Sequence, residues 1–364
     1  MFNVMYSRMK IVSFPQTKIA NGNFQKMFNF VCSLMGVNKI DAVSQADYNF
    51  NTCTYSMLYS ANKGSGSGTF KGNSCKKVNK VLMEWKNIFR DNNISEPKES
   101  IEHIIAHVLG SRSISSVYKN MEQILSPYQI ERINEYCQKR MERLPVQYII
   151  EEWDFRNLTL KMSPPVFIPR PETEMLVDIV LNEIYRQATD RVLEFCCGSG
   201  AISISLLKSR PDLHIIALDK STEACELTKL NAKMHEVSNR LEVIHEDITA
   251  ASFLNSVSTQ YDIIVSNPPY IFENDMIHLQ SEIKLYEDPA AFNGGADGLK
   301  VIKHILKASF LLLNCKGKVF LEVDPKHPPL IKSWLQENYD TKLQLGCVYK
   351  DFSGKERFVE IIKE

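Results

Sequence analysis

Apolar residues recur at helical spacing from about residue 78. Val81, Leu82, Trp85, Ile88 and Phe89 share one face, and a second stripe, Ile101, Ile104, Ile105 and Val108, ends at Gly110. Ser95 with Pro97 predicts the start of that second helix. Ser126-Pro127 predicts another, with Ile130, Ile133, Cys137, Met141 and Leu144 in line, because a Ser cap followed by Pro in the first turn suits a helix start. Residues 78–144 therefore read as a small all-α unit whose stripes form its own core. After Pro145 the period changes. Phe155, Leu158, Leu160 and Met162 suggest a short β-hairpin, so 145–168 reads as a bridge. From residue 191 strand-like runs (RVLEF, HIIAL, LEVIH, YDIIV, KVFLEV, RFVEII) alternate with helical patterns such as 222–234 and 298–314. That alternation predicts an α/β fold, with a mostly parallel sheet covered on both faces.

Composition narrows the function classes. The 364 residues are 44% hydrophobic, and Lys plus Arg equals Asp plus Glu at 43 each. No apolar run reaches the roughly 18 residues that a membrane helix needs. The balance hides an asymmetry: residues 1–75 carry a net charge of +5, 76–144 of +3, and 145–364 of −8. An acidic body argues against direct nucleic-acid binding, which needs a basic face for phosphates. The nine cysteines are scattered, odd in number and without a Cys-x-x-Cys pair. They form neither a disulfide framework nor a zinc site, and suit a reducing compartment. The first 40 residues hold Arg8, Lys10, Lys18, Lys26 and Lys39 and no acid. Such a basic, acid-poor stretch predicts a mitochondrial transit segment. The Gly/Ser-rich run at 62–74 predicts a flexible linker, so 1–77 stands apart from the folded body.

Candidate chemistry gathers at the ends of the predicted strands. The first ends in LEFCCGSGAIS, 193–203, where Glu194 precedes a small-residue turn with Gly198 and Gly200 and then a helix. Glycines let a backbone approach a ligand, and the helix start offers free N–H groups. A third glycine for the dinucleotide fingerprint is missing. The second strand ends in Asp219, where an acid normally receives ribose hydroxyls, although Asp219 could also cap the helix from 222. The third places Asp247 and Ile248 where an adenine edge and face could be met. Acids at three consecutive tips point to an adenosine ligand. The fourth strand runs into Asn267-Pro268-Pro269-Tyr270. Asn267 offers a side-chain carbonyl and Pro268 a backbone carbonyl, the prolines donate no N–H and fix φ, and Tyr270 is a flat wall. Two acceptors and an aromatic face make a receptor for a planar –NH2 group.

NPPY downstream of an E-x-x-x-G-x-G turn resembles the S-adenosylmethionine-dependent amino-group methyltransferases. PVQYI, FIPRPETE, NPPYI, YEDPAAFNGGADGL and FLEVDPKHP, in this order over roughly 80–364, resemble the HemK/PrmC release-factor glutamine N5-methyltransferases, and their mitochondrial branch most. The resemblance implies a class I, Rossmann-like methyltransferase domain over 169–364 with a seven-stranded sheet. It implies a helical domain that recruits the partner, a peptide chain release factor bearing a Gly-Gly-Gln loop. The reaction would turn S-adenosylmethionine into S-adenosylhomocysteine, without a metal, in the mitochondrial matrix, on a monomeric enzyme. Carried over, Glu194 and Cys196, Cys197, Gly198, Ser199 and Gly200 would serve the methionine part of the cofactor. Asp219 would take the ribose, and Asp247 and Ile248 the adenine. Asn267, Pro268, Pro269 and Tyr270 would hold the substrate glutamine, with Asn267 also beside the cofactor and Asn267, Pro268 and Tyr270 at the reacting centre. Two positions depart from the family turn: Glu194 stands where Asp is common, and Cys196 at the first Gly, which a negative φ would tolerate. Two rivals remain. An adenine-N6 nucleic-acid methyltransferase would use the same NPPY but needs a basic groove or base-flipping apparatus. A non-catalytic assembly factor would show an eroded NPPY or acid series.

Overall fold

Five short helices open the described part of the chain: α1 (Val78–Asp91), α2 (Pro97–Val108), α3 (Ile114–Lys119), α4 (Pro127–Met141) and α5 (Val146–Ile149). This is a computed structural model that describes residues 76–364 except 188, 190, 251, 252, 258 and 259. The expected transit segment and the 62–74 linker lie outside the described residues. The helical stripes pack on one another through Val81, Trp85, Phe89, Ile101, Ile105, Ile133 and Cys137. Ile88 turns outward, and Val78 takes the buried place on α1. α4 begins as expected: Ser126 Oγ accepts from Gln129 N, and the Gln129 side chain accepts from Ser126 N. α2 does not use Ser95. Its cap is Glu96 at φ +48 without a side-chain bond, and the Ser95 hydroxyl donates instead to Glu282, far along the chain.

The hairpin pairs β1 (Glu152–Phe155) with β2 (Leu158–Lys161) and leads into α6 (Pro171–Gln187). The remaining strands are β3 (Arg191–Phe195), β4 (His214–Asp219), β5 (Leu241–His245), β6 (Tyr261–Ser266), β7 (Leu313–Glu322), β8 (Leu343–Lys350) and β9 (Glu356–Lys363). They form one seven-stranded sheet in the order β5-β4-β3-β6-β7-β9-β8. The first five run parallel, and β9 is antiparallel to both β7 and β8. β8 has no counterpart among the strand-like runs of the sequence. It is an edge strand whose side chains are mostly half-buried or exposed, and Gly346 interrupts it. Alternate residues serve opposite faces, as a pleated strand requires. Val192, Ile215 and Ile263 face α6, α7 (Ala201–Ser209) and α8 (Thr222–Met234), while Leu193, Leu218 and Ile264 face α10 (Lys300–Leu312) and α11 (His327–Glu337). Strand order reverses between β3 and β6, and a parallel sheet leaves a crevice beyond its carboxyl ends at such a point.

A buried ion pair keys the helices to the sheet. Arg140 of α4 donates to Glu282 Oε1 from both terminal nitrogens at 3.1 Å, to Ser95 Oγ at 2.7 Å and to Ser100 Oγ at 3.1 Å. Glu282 sits on α9 (Ser281–Tyr286), in the loop that follows NPPY, and Tyr286 donates to the Glu142 carbonyl at 2.7 Å. Among the described residues no helix is long and apolar enough to cross a membrane.

Candidate active site

A cleft of about 690 Å3 opens at the switch point. Cys196, Gly198, Asp219, Asp247, Ile248, Asn267, Pro268, Pro269 and Tyr270 all line it, so residues up to 74 positions apart meet there. Glu194, Cys197, Ser199 and Gly200 sit behind that lining. Glu194 is fully buried. It accepts from Ser203 N at 3.0 Å and from the Ser203 hydroxyl, which ties the strand end to the first turn of α7. Burial pushes its carboxyl up to about 8, against those two bonds.

The turn is braced from below. Gly198 N donates to Asp219 Oδ2 at 2.9 Å, Thr228 Oγ1 donates to the Gly198 carbonyl at 3.0 Å, and Asn231 Nδ2 donates to the Ser199 carbonyl at 2.9 Å. Gly200 is at φ +80, and a Cβ there would lie 3.0 Å from Ile204 and Thr228, so a side chain would push α7 and α8 apart. Cys196 does not meet the condition of a negative φ. It sits at +60, the left-handed region, which costs a residue with a Cβ roughly 1–2 kcal/mol. The chain must reverse there whichever residue occupies the position. Asp219 divides its oxygens between two backbone donors, Gly198 N and Ser221 N, while Ser221 caps α8. Burial raises its carboxyl against them. Burial also opposes the charge of Asp247, but the Thr249 N–H and hydroxyl, both at 2.8 Å from Oδ1, hold it below the usual range. Phe195, Leu218 and Ile248 supply apolar walls between these acids. This half fits an adenosine with an amino-acid tail.

The other half surrounds the NPPY tip. Ser266 Oγ donates to the Phe195 carbonyl at 2.7 Å, which pins the end of β6 beside the cofactor turn. Asn267 Nδ2 donates to Thr173 Oγ1 at 3.2 Å, Thr173 donates to Glu322 Oε2 at 2.7 Å, and Tyr270 donates to Glu322 Oε1 at 3.1 Å. Thr173 and Glu322 were not picked out from the sequence, although they lie within FIPRPETE and FLEVDPKHP. The other quoted motifs interlock here too. Arg170 pairs with Glu287 at 2.7 Å, and the Tyr148 hydroxyl donates to the Val166 carbonyl at 2.5 Å. Gly298 supports Tyr270: a Cβ at that residue would lie 2.7 Å from the Tyr270 carbonyl and 2.3 Å from His327 Nε2. Leu279 and Ile283, on either side of Glu282, line the outer wall.

Sheet order and cleft together define the class I S-adenosylmethionine-dependent methyltransferases. Residues 158–286 match the family model of the methyltransferase small domain, and residues 80–150 that of the PrmC N-terminal domain. The chain is 45% identical over 290 residues to the human MTRF1L release factor glutamine methyltransferase, covering 77% of this chain and 86% of that one. It is 32% identical over 241 residues to the release factor glutamine methyltransferase of Lactococcus lactis, covering 66% and 86%. To that of Rhodopirellula baltica it is 29% identical over 287 residues, covering 78% and 95%. The chain therefore belongs to the release factor glutamine methyltransferase family.

Proposed function

We propose that this chain methylates the side-chain amide nitrogen of the glutamine in the Gly-Gly-Gln loop of a peptide chain release factor, in the mitochondrial matrix. The observation that carries the reading is the Asn267 amide, which lines the cleft while its nitrogen is held by Thr173, a residue outside the lining. The Asn267 oxygen and the Pro268 carbonyl would accept the two hydrogens of a planar –NH2 group. Tyr270 walls the site. Bound S-adenosylmethionine supplies an electrophilic methyl group on a sulfonium. Cys196 and Gly198 would face its methionine part, Asp219 its ribose, and Asp247 and Ile248 its adenine. Glu194, Cys197, Ser199 and Gly200 would hold that turn from behind. An amide nitrogen is a poor nucleophile because its lone pair is delocalised. Two fixed acceptors favour the positive charge that develops as it attacks, and hold it in line.

Acids dominate the lining: Asp219, Glu246, Asp247, Glu273 and Asp288 against Arg170, Lys220 and Lys300. That balance disfavours a nucleic-acid adenine as substrate. NPPY and the three acids are intact, which disfavours a non-catalytic role. The acid-poor N-terminus supports the compartment. The helical unit, 78–144, which with Lys76 and Lys77 carries a net charge of +3, would recruit the factor. Mass spectrometry of a purified release factor, incubated with enzyme and S-adenosylmethionine, tests the reading. A single methyl group on the loop glutamine is expected, and an unmodified glutamine with a modified adenine in added RNA would replace it.

A further inference from the structure

Beneath the NPPY tip sits a carboxylate with no place among the cofactor or substrate contacts assigned above. Glu322, the last residue of β7, is 1% exposed, and its two oxygens accept from two different hydroxyls, those of Thr173 and Tyr270. A hydroxyl has one proton to give. Thr173 gives its proton to Glu322, so towards Asn267 it can only accept. The donor that meets it must then be the Asn267 nitrogen, 3.2 Å away. An amide is planar, so fixing the nitrogen fixes the oxygen on the other branch, away from Thr173. The order of donors along the chain from Glu322 to Asn267 thus dictates which way the asparagine is turned.

An asparagine turned the other way would present –NH2 to an incoming –NH2, donor against donor. An unpaired buried polar group costs about 1–3 kcal/mol, and here the loss would fall on the group that must stay fixed as charge develops. A glutamate at 322 is suited to the task because, when ionised, it accepts at both oxygens. A glutamine would not be. Its amide offers one acceptor and one –NH2, so either Thr173 or Tyr270 would face a donor. If that were Thr173, its proton would swing towards Asn267 and reverse the asparagine.

We propose that Glu322 is a positioning residue, which sets the orientation of the Asn267 amide through Thr173 and holds Tyr270 with its second oxygen. The proposal rests on the reading of Asn267 as the receptor of the substrate amide. It goes beyond that reading by assigning the reaction's dependence on two residues that need touch neither substrate nor cofactor. Glu322 acts as an acceptor, and Thr173 as a one-proton relay of direction.

The test uses the full chain with a whole release factor, and the variants Glu322→Gln, Thr173→Val, Thr173→Ser and Asn267→Ala. Glu322→Gln and Thr173→Val should lower kcat by about 10²–10³, the loss seen when one pre-positioned polar group is removed at a reacting centre. The factor's KM and the calorimetric affinity for S-adenosylmethionine should stay within about threefold, a split that a general loss of packing would not produce. Thr173→Ser keeps the hydroxyl and should recover most of the rate. Adding Thr173→Val to Asn267→Ala should cost little more than either alone, because the two act as one unit. If Glu322→Gln lowers the melting temperature so far that it cannot be assayed, the Thr173→Val and Thr173→Ser pair decides. Asn267→Ala inactive while Thr173→Val turns over within twofold of wild type would overturn the proposal and leave the reading of Asn267 standing. An equal loss in kcat and in cofactor affinity would also overturn it, since Glu322 would then act on the cofactor. Asn267→Ala at full rate would instead sink the underlying reading.

Discussion

Glu282, at the junction of the helices with the sheet, and Glu322, under the NPPY tip, are both shut away from water, at 7% and 1% exposure. Their partners differ in kind. Burial opposes the charge of Glu282, but the Ser95 hydroxyl and the Arg140 guanidinium hold its carboxyl below the usual range. Glu322 has two hydroxyls instead. Burial pushes its carboxyl up to about 7, against Thr173, Tyr270 and the more distant Arg357. The junction is therefore locked in one charge state, and the active-site carboxylate is poised near a change of state. A full counter-charge gives a fixed joint. Neutral hydroxyls give direction, because they have a donor end and an acceptor end.

The harshest way to break the comparison is to remove the counter-charge. Arg140→Met should destabilise the chain by about 3–5 kcal/mol, because it leaves a buried carboxylate with only the looser Arg143 pair, at 3.8 Å. Adding Glu282→Leu should recover most of that loss, and urea unfolding of both variants measures it. A single variant within about 1 kcal/mol of wild type would show that the joint is held by its apolar contacts. Asn267→Ala should cost about 10²–10³ in kcat with the melting temperature unchanged, since its side chain bonds one hydroxyl and supports no core. Asp219→Ala should weaken S-adenosylmethionine by about 1.5–3 kcal/mol, with unchanged affinity in calorimetry ruling the ribose contact out.

The difference in charge state gives a pH signature. Four groups face the Glu322 carboxyl: Glu172 and Thr173 from α6, Tyr270 from beyond β6, and Arg357 from β9. Only the ionised form accepts from both hydroxyls, so kcat should rise with pH through an inflection near 7 in wild type. Glu322→Gln should lack that inflection. Stability should move the opposite way. The folded carboxyl sits near 7 against 4.5 for an unperturbed one, so folding takes up a proton between those values. That contribution is complete below about 4.5 and is lost as pH rises through about 7. Glu282, held below the ordinary range, has the reverse sign: its contribution is lost as pH falls through its folded value. The smallest effect is expected from the exposed face of the helices. Lys80→Glu with Lys119→Glu should raise KM for the whole factor several-fold and leave a Gly-Gly-Gln peptide unchanged. Truncating the helices is a poorer test, because it removes Arg140 and strands Glu282.

What could be read from the sequence were the features whose cause is local. The capping box at Ser126, the strands RVLEF to RFVEII and the acceptor-rich NPPY tip each announce themselves within a few residues. Where the cause lies elsewhere, reading failed. Ser95 looks like a cap, but its partner is Glu282, 187 residues on. Thr173 and Glu322 lie 149 residues apart and are ordinary in their own segments, so neither shows a role until the fold joins them. α3 is a helix of six residues with one buried side chain, too short for a period. β8 pairs on one edge and alternates weakly. The positive φ of Cys196 is set by the reversal of the chain between β3 and α7, which a residue type cannot report.

That same cysteine has a consequence for the enzyme's own survival. Cys196 lines the cleft that would hold an activated methyl group, and sulfur is a softer nucleophile than any amide. Attack on an electrophile needs the thiolate. Burial, with Asp219 nearby, pushes the Cys196 thiol far above its ordinary range. That shift favours the protonated thiol over the thiolate. A thiol held in that form is a poor nucleophile towards the methyl group that the cleft would hold.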